Sequence, residues 1–317
     1  MAKKLLLIIF ILFFGITSAK ATQVHFAQIS DIHYQPKAPE NEKSAKLKFY
    51  ALNILDDAIL QINNDKKIDF VLVTGDAADK PIKEDFEFIY NYLNKNLKHK
   101  WYYSLGNHDS SVKANFAKKE QLELINEINP KGFNDKKTYY SFKPRRDITF
   151  IALDTTYDSW ISPGYLPTEQ LTFLDKELQK AKNGTVVIFM HHPTVYPVAN
   201  TNHEIVNDFA IYEILKKYEN PILILGGHYH GTKIKQDGNI VHVASPALVS
   251  YPCAFRIITV NNKKDETIFT FEYRETTLKD IQKKAKVKAV GSKIKWLYGE
   301  EADRNNVIVI DKKSQIK

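Results

Sequence analysis

Between residues 24 and 225, short apolar runs alternate with amphipathic stretches, and nearly every run stops on Asp, Asn, His or Gly. No other feature constrains the fold as much. The runs at 24–29, 70–73, 101–105, 148–153, 186–190 and 222–225 are short and rich in β-branched or aromatic residues, as buried strands are. The stretches at 47–62, 86–97, 168–178 and 204–218 carry apolar residues at helical spacing, with Thr168 placed to cap the third. Strand–helix alternation of this kind predicts an α/β (α+β) layered domain. In such sheets, sites form just beyond the carboxyl ends of the strands.

Five motifs occupy those ends. In order they are Asp31-Ile32-His33, Gly75-Asp76, Gly106-Asn107-His108-Asp109, His191-His192-Pro193 and Gly227-His228-Tyr229-His230. A two-ion site that hydrolyses phosphate esters needs one carboxylate able to bridge both ions. It also needs imidazoles and neutral oxygen donors to complete each sphere. Asp76 is the natural bridge, because Gly75 lets the backbone turn sharply before it. Alternate residues of an extended segment point the same way, so Asp31 and His33 reach one ion together. His228 and His230 share that relation. Asn107 offers a neutral amide oxygen. His108 then points elsewhere and suits the substrate better than a metal. Spacing alone leaves His191 and His192 as equal candidates.

The set resembles the calcineurin-like metallophosphoesterase superfamily, over roughly residues 24–260. The resemblance implies a four-layer αββα sandwich, with two central mixed β-sheets flanked by helices and the metal site at the strand carboxyl ends. It implies that Asp31, His33, Asp76 and His230 hold one ion, and that Asp76, Asn107, His191 and His228 hold the other. His108 would contact the phosphate and protonate the leaving alkoxide after attack by a metal-bridging hydroxide. In that family the liganding histidine stands two residues before the proline, which selects His191. His192 and Asp109 would then support the ligands or line the pocket. The expected substrates are phosphate mono- or diesters, as small molecules or lipid head groups. Within the superfamily the match leans toward the cyclic-nucleotide phosphodiesterase-like branch. A cyclic-nucleotide phosphodiesterase specifically, or a non-catalytic scaffold on the same fold, are the alternatives; the scaffold is disfavoured because no ligand is missing. Purple acid phosphatases carry a tyrosine three residues after the bridging aspartate, where this chain has Asp79. No tyrosinate–iron chromophore is therefore expected. The N and O donors suit two divalent or trivalent ions of iron, manganese or zinc.

Lys3 and Lys4, the apolar run 5–16 and Ala19-Lys20-Ala21 predict a cleavable signal peptide over 1–21, and hence a periplasmic or secreted protein. Cys253 is the only cysteine, which excludes an intramolecular disulfide and reads as a small buried hydrophobe. Within the expected catalytic domain at 22–275, two hairpins are predicted after Gly231, around 236–239 and 261–266, with antiparallel, edge-like strands. Residues 276–317 hold 11 Lys or Arg against 5 Asp or Glu, so the excess of positive charge belongs to a basic C-terminal extension. That extension reads as a solvated helix face, with weak contact to an anionic membrane surface as the functional alternative. Basic and aromatic residues do not interleave, so nucleic acid is not expected as the main partner. Among the histidines outside the motifs, His203 is the one placed to line a pocket.

Overall fold

The computed structural model describes residues 21–312 except 115, 131–136, 160, 200–201, 290 and 292. Residues 1–20 of the expected signal peptide lie outside the described residues. Twelve strands are present among them: β1 (Thr22–Ile29), β2 (Phe70–Thr74), β3 (Lys100–Ser104), β4 (Tyr140–Arg145), β5 (Ile148–Ala152), β6 (Thr185–Phe189), β7 (Ile222–Gly226), β8 (Lys233–Asp237), β9 (Ile240–Ala244), β10 (Ala254–Asn262), β11 (Glu266–Glu275) and β12 (Asn306–Asp311). The principal helices are α1 (Ala51–Asn64), α2 (Lys83–Asn96), α3 (Lys118–Ile128), α4 (Thr168–Lys180), α5 (Asp208–Leu215), α6 (Lys279–Lys288), α7 (Lys293–Tyr298) and the short α8 (Glu301–Arg304).

The strands form two six-stranded mixed sheets, in the orders β12-β11-β10-β1-β2-β3 and β4-β5-β6-β7-β9-β8. Side chains alternate across each strand, so one strand feeds two cores. In β2, Phe70 and Leu72 face the second sheet, while Val71 and Val73 face α1 and α2. In β6, Val187 and Phe189 face the first sheet, while Val186 and Ile188 face α4 and α5. Burial on both faces is why these strands read as unbroken apolar runs. Three buried clusters result: helix on sheet, sheet on sheet and sheet on helix. They are the interfaces of a four-layer αββα sandwich, as expected.

β1, β2 and β3 run parallel, as do β5, β6, β7 and β9. The hairpin between β8 and β9 turns through Gly238 and Asn239, with Gly238 at φ 57°, a left-handed value that such tight turns require.

Several details differ from expectation. β10 and β11 are interior strands rather than edges, because β10 pairs with β1 and β11 with β12. Thr168 is the first residue of α4, with Pro167 at the cap position and no side-chain cap bond. α3 and β4 occur in a stretch where periodicity gave no element. The basic segment after 276 is built into the sandwich. Ala285 of α6 packs in the helix-side core, and Ile308 and Ile310 of β12 enter the core between the sheets. The fully buried Arg256 guanidinium donates to the carbonyls of Asp303 and Arg304 at 2.7 and 3.1 Å, tying α8 to β10.

Candidate metal centre

The loops after β1 and β2 are laced together: the Asp31 N–H donates to Gly75 O and the His33 N–H to Asp76 O, at 3.1 and 2.9 Å. The loops after β6 and β7 are joined by Gly227 N–H to His191 O at 2.8 Å. Two bonds then cross between sheets. The His228 N–H donates to Asp31 Oδ2 at 3.1 Å, and His191 Nδ1–H donates to Thr74 O at 2.8 Å. A carbonyl only accepts, so the second contact fixes the His191 tautomer and turns Nε2 inward.

Five motif residues adopt left-handed backbone: Asp31 (φ 55°), His33 (φ 45°), Asp76 (φ 54°), His228 (φ 66°) and His230 (φ 56°). Non-glycine residues there cost of order 1 kcal/mol or more each, and such strain persists only where the surroundings over-determine it. Gly75 permits the turn into Asp76: it sits at φ 84°, and a Cβ on it would lie 2.5 Å from His191 Nδ1.

The side chains converge in two groups that share an atom. On one side are Asp31, His33 and His230: His33 Nε2 is 3.2 Å from His230 Nε2, and His230 Nε2 is 3.3 Å from Asp31 Oδ1. On the other are His191, His228 and Asn107: His191 Nε2 is 3.1 Å from both His228 Nδ1 and Asn107 Oδ1. Asp76 Oδ2 lies between them, 3.5 Å from His33 Nε2 and 3.3 Å from His191 Nε2. Lone pairs thus face lone pairs at contact distance. Asp31 Oδ1 is buried with no hydrogen-bond partner among the described residues. Converging acceptors of this kind suit cations, so the donor set fits two metal ions.

The charges agree. Burial raises the Asp31 carboxyl, but His230 and His191 outweigh it and hold it at about 2. Asp76 is likewise held well below the carboxylate range, by His191, His108 and His33 against burial. Burial and the Lys46 ammonium push His33 down to about 3. Burial lowers His191 too, yet Asp76 and Asp31 prevail and raise it to about 9.

His108 stands beside the two groups. Its N–H donates to Asp76 Oδ1 at 2.9 Å, and Nδ1–H donates to Asp79 O at 2.7 Å, leaving Nε2 directed toward Lys46 Nζ at 3.4 Å. His192 packs on the cluster, its ring 4.2 Å from that of His228, but its nitrogens are turned to other partners. Its Nδ1 meets Thr155 Oγ1 at 2.7 Å and its Nε2–H donates to Ser162 O at 2.9 Å, so both ring nitrogens are engaged. Asp109 accepts the N–H groups of Gly106, Asp76 and Ala77 and the Tyr103 hydroxyl. Burial and the Asp76 carboxylate push Asp109 up, to about 8, while these four donors favour its ionised form. It therefore pins the loop that carries Asp76 rather than orienting the His108 ring.

Sequence reasoning missed Asp79, Lys46 and Lys48. Asp79 stood out only as the position that lacks a tyrosine. In the fold its Oδ1 receives His33 Nδ1–H at 3.3 Å, and Lys48 Nζ sits 2.9 Å from its Oδ2. Ser250, 2.6 Å from His230 Nδ1, carries no local signal at all. His203 lies at the rim, its ring 5.3 Å from that of His228. Tyr34 and Tyr157 stack on Phe88 and Tyr165 respectively.

A four-layer sandwich with this N/O donor cluster at its strand ends defines a phosphoric ester hydrolase of the metal-dependent class. The family model for calcineurin-like phosphoesterases matches residues 24–232, and the chain belongs to that family. It is 26% identical over 228 residues to a 3',5'-cyclic-nucleotide phosphodiesterase of Nostoc sp., covering 71% of this chain and 78% of the relative. It is 30% identical over 211 residues to a probable glycerophosphodiester phosphodiesterase of Arcobacter nitrofigilis, covering 64% and 70%. Among solved structures, a dimetal phosphatase from Danio rerio shares the fold with TM-score 0.65 at 18% identity, over 80% of this chain and 96% of the other.

Proposed function

We propose that the chain is an exported, binuclear metal-dependent phosphoesterase acting on phosphate mono- or diesters. One observation carries the reading: Asp76 Oδ2 lies within 3.5 Å of an imidazole from each of two separate donor groups. Asp31, His33, Asp76 and His230 would hold one ion, and Asp76, Asn107, His191 and His228 the other. Ions bound there would supply Lewis acidity and an activated water at neutral pH. The N-terminal run 5–16 supports export. The names of the two bacterial relatives support diesters among the substrates.

The protein's own part is positioning and proton transfer. Thr74 O, Asp79 and Ser250 hold the imidazoles of His191, His33 and His230 in ligand orientation. His108 is fixed at its backbone N–H and at Nδ1, which leaves Nε2 for the substrate; protonated at both nitrogens, the ring would give its Nε2 proton to the leaving alkoxide.

The test is turnover of an aryl phosphate monoester and diester by the manganese-loaded full chain. His108→Ala should lower kcat by roughly 100-fold or more. Asp76→Ala should abolish turnover along with metal binding. Undiminished turnover in both variants would refute the assignment.

A further inference from the structure

We infer that Lys46 is a substrate-binding residue that meets the second negative charge of a phosphate monoester, so that the site takes dianionic esters as well as diesters. The inference rests on the phosphoesterase reading above and adds a specificity residue to it. Lys46 lies in a segment anchored on both sides. Its own N–H donates to Ser44 Oγ at 3.1 Å, and the N–H of the buried Leu47 donates to Val249 O at 2.6 Å. Lys48 is clamped between Glu42 and Asp79, at 2.8 and 2.9 Å. The ammonium of Lys46 is thereby delivered to one place. It lies 3.4 Å from His108 Nε2, 3.3 Å from His33 Nδ1 and 3.7 Å from Asp79 Oδ1, with 24% of the side chain exposed.

Pairing with Asp79 does not account for that position. Lys48 and His33 are both nearer to the same carboxylate, at 2.9 and 3.3 Å. The His33 Nδ1 proton is directed at Asp79, so that nitrogen has no lone pair to offer Lys46. An ammonium has three donors. With His108 Nδ1–H given to Asp79 O, the Nε2 lone pair of His108 is the acceptor that faces Lys46 at 3.4 Å, so the ammonium sits beside the ring nitrogen that would meet the leaving group. At neutral pH a diester carries one negative charge, whereas a monoester, with a second pKa of about 6, carries nearly two. Both ester types meet the same metal ligands. A cation outside the ligand set but beside His108 discriminates by answering the extra charge.

The experiment compares kcat/KM for para-nitrophenyl phosphate and methyl para-nitrophenyl phosphate, which share a leaving group and differ by one charge. Calorimetric titration of inorganic phosphate into the manganese-loaded enzyme is the second readout. Lys46→Met should lower the monoester-to-diester ratio by roughly 10- to 100-fold and weaken phosphate binding by a similar factor. Lys46→Arg, which keeps the charge, should hold the ratio within about threefold of wild type. Lys46→Gln repeats the test if the Met variant is unstable. An unchanged ratio, or an unchanged phosphate affinity, overturns the assignment. Absence of turnover of either ester by the wild type would instead sink the phosphoesterase reading, and the phosphate titration would still decide the role of Lys46.

Discussion

Asp76 meets two demands with one carboxylate: Oδ2 faces both imidazole groups, and Oδ1 receives the His108 N–H. Its left-handed backbone and Gly75 before it are the local cost of that double duty. The converging residues were legible in the sequence, because Asp, His and Asn stand there at the ends of apolar strand-like runs. Their supporters were not. Asp79 acts on His33 through a contact that exists only once two loops pair, and nothing in its neighbours along the chain announces it. Its role predicts a measurable effect. Asp79→Asn weakens the carboxylate that orients His33, so manganese affinity should fall by roughly 10- to 100-fold in calorimetric titration. Unchanged affinity would mean that His33 is oriented by other contacts.

Elements differ in how plainly they announced themselves. β2, β6 and β7 are buried on both faces and read as unbroken apolar runs. α3 and β4 did not stand out: α3 buries only Gln121, Leu124 and Ile125, and β4 alternates buried with open positions at a sheet edge. The step in charge at 276 is a step in composition, and the chain continues through it into β12. Within β9, the fold buries His242 against Thr194 Oγ1 at 2.7 Å. Burial lowers its pKa from 6.5 to about 4. Above pH 6.5 both folded and unfolded chains keep it neutral. Between pH 6.5 and about 4 the unfolded chain takes up a proton that the folded one refuses, so stability falls as pH falls. Urea midpoints across that window should therefore drop less steeply in His242→Gln than in wild type. Parallel slopes would show that His242 does not contribute.

At the scale of the molecule, the two sheets contribute opposite halves of the site. Asp31, His33, Asp76 and Asn107 follow strands of the first sheet, and His191, His228 and His230 follow strands of the second. Metal held by these residues would therefore also link the sheets. The layered architecture was readable from strand–helix alternation, but the assignment of each strand to a sheet was not. β8 and β9 complete the second sheet while β10 and β11 return to the first, and only long-range pairing decides that. A ligand that binds the folded state alone stabilises it by about 4 kcal/mol at a thousand times its dissociation constant. Removing metal with a chelator should accordingly lower the melting temperature by roughly 10 °C, reversibly on adding manganese. A melting curve indifferent to chelation would argue against a link made by metal.

The central claim is that two ions share Asp76. Electron paramagnetic resonance of the manganese-loaded chain, with metal content measured on the same sample, tests it most directly. Two manganese ions per chain with an exchange-coupled spectrum are predicted, collapsing in Asp76→Asn. A single ion per chain, or two uncoupled six-line signals, would contradict it.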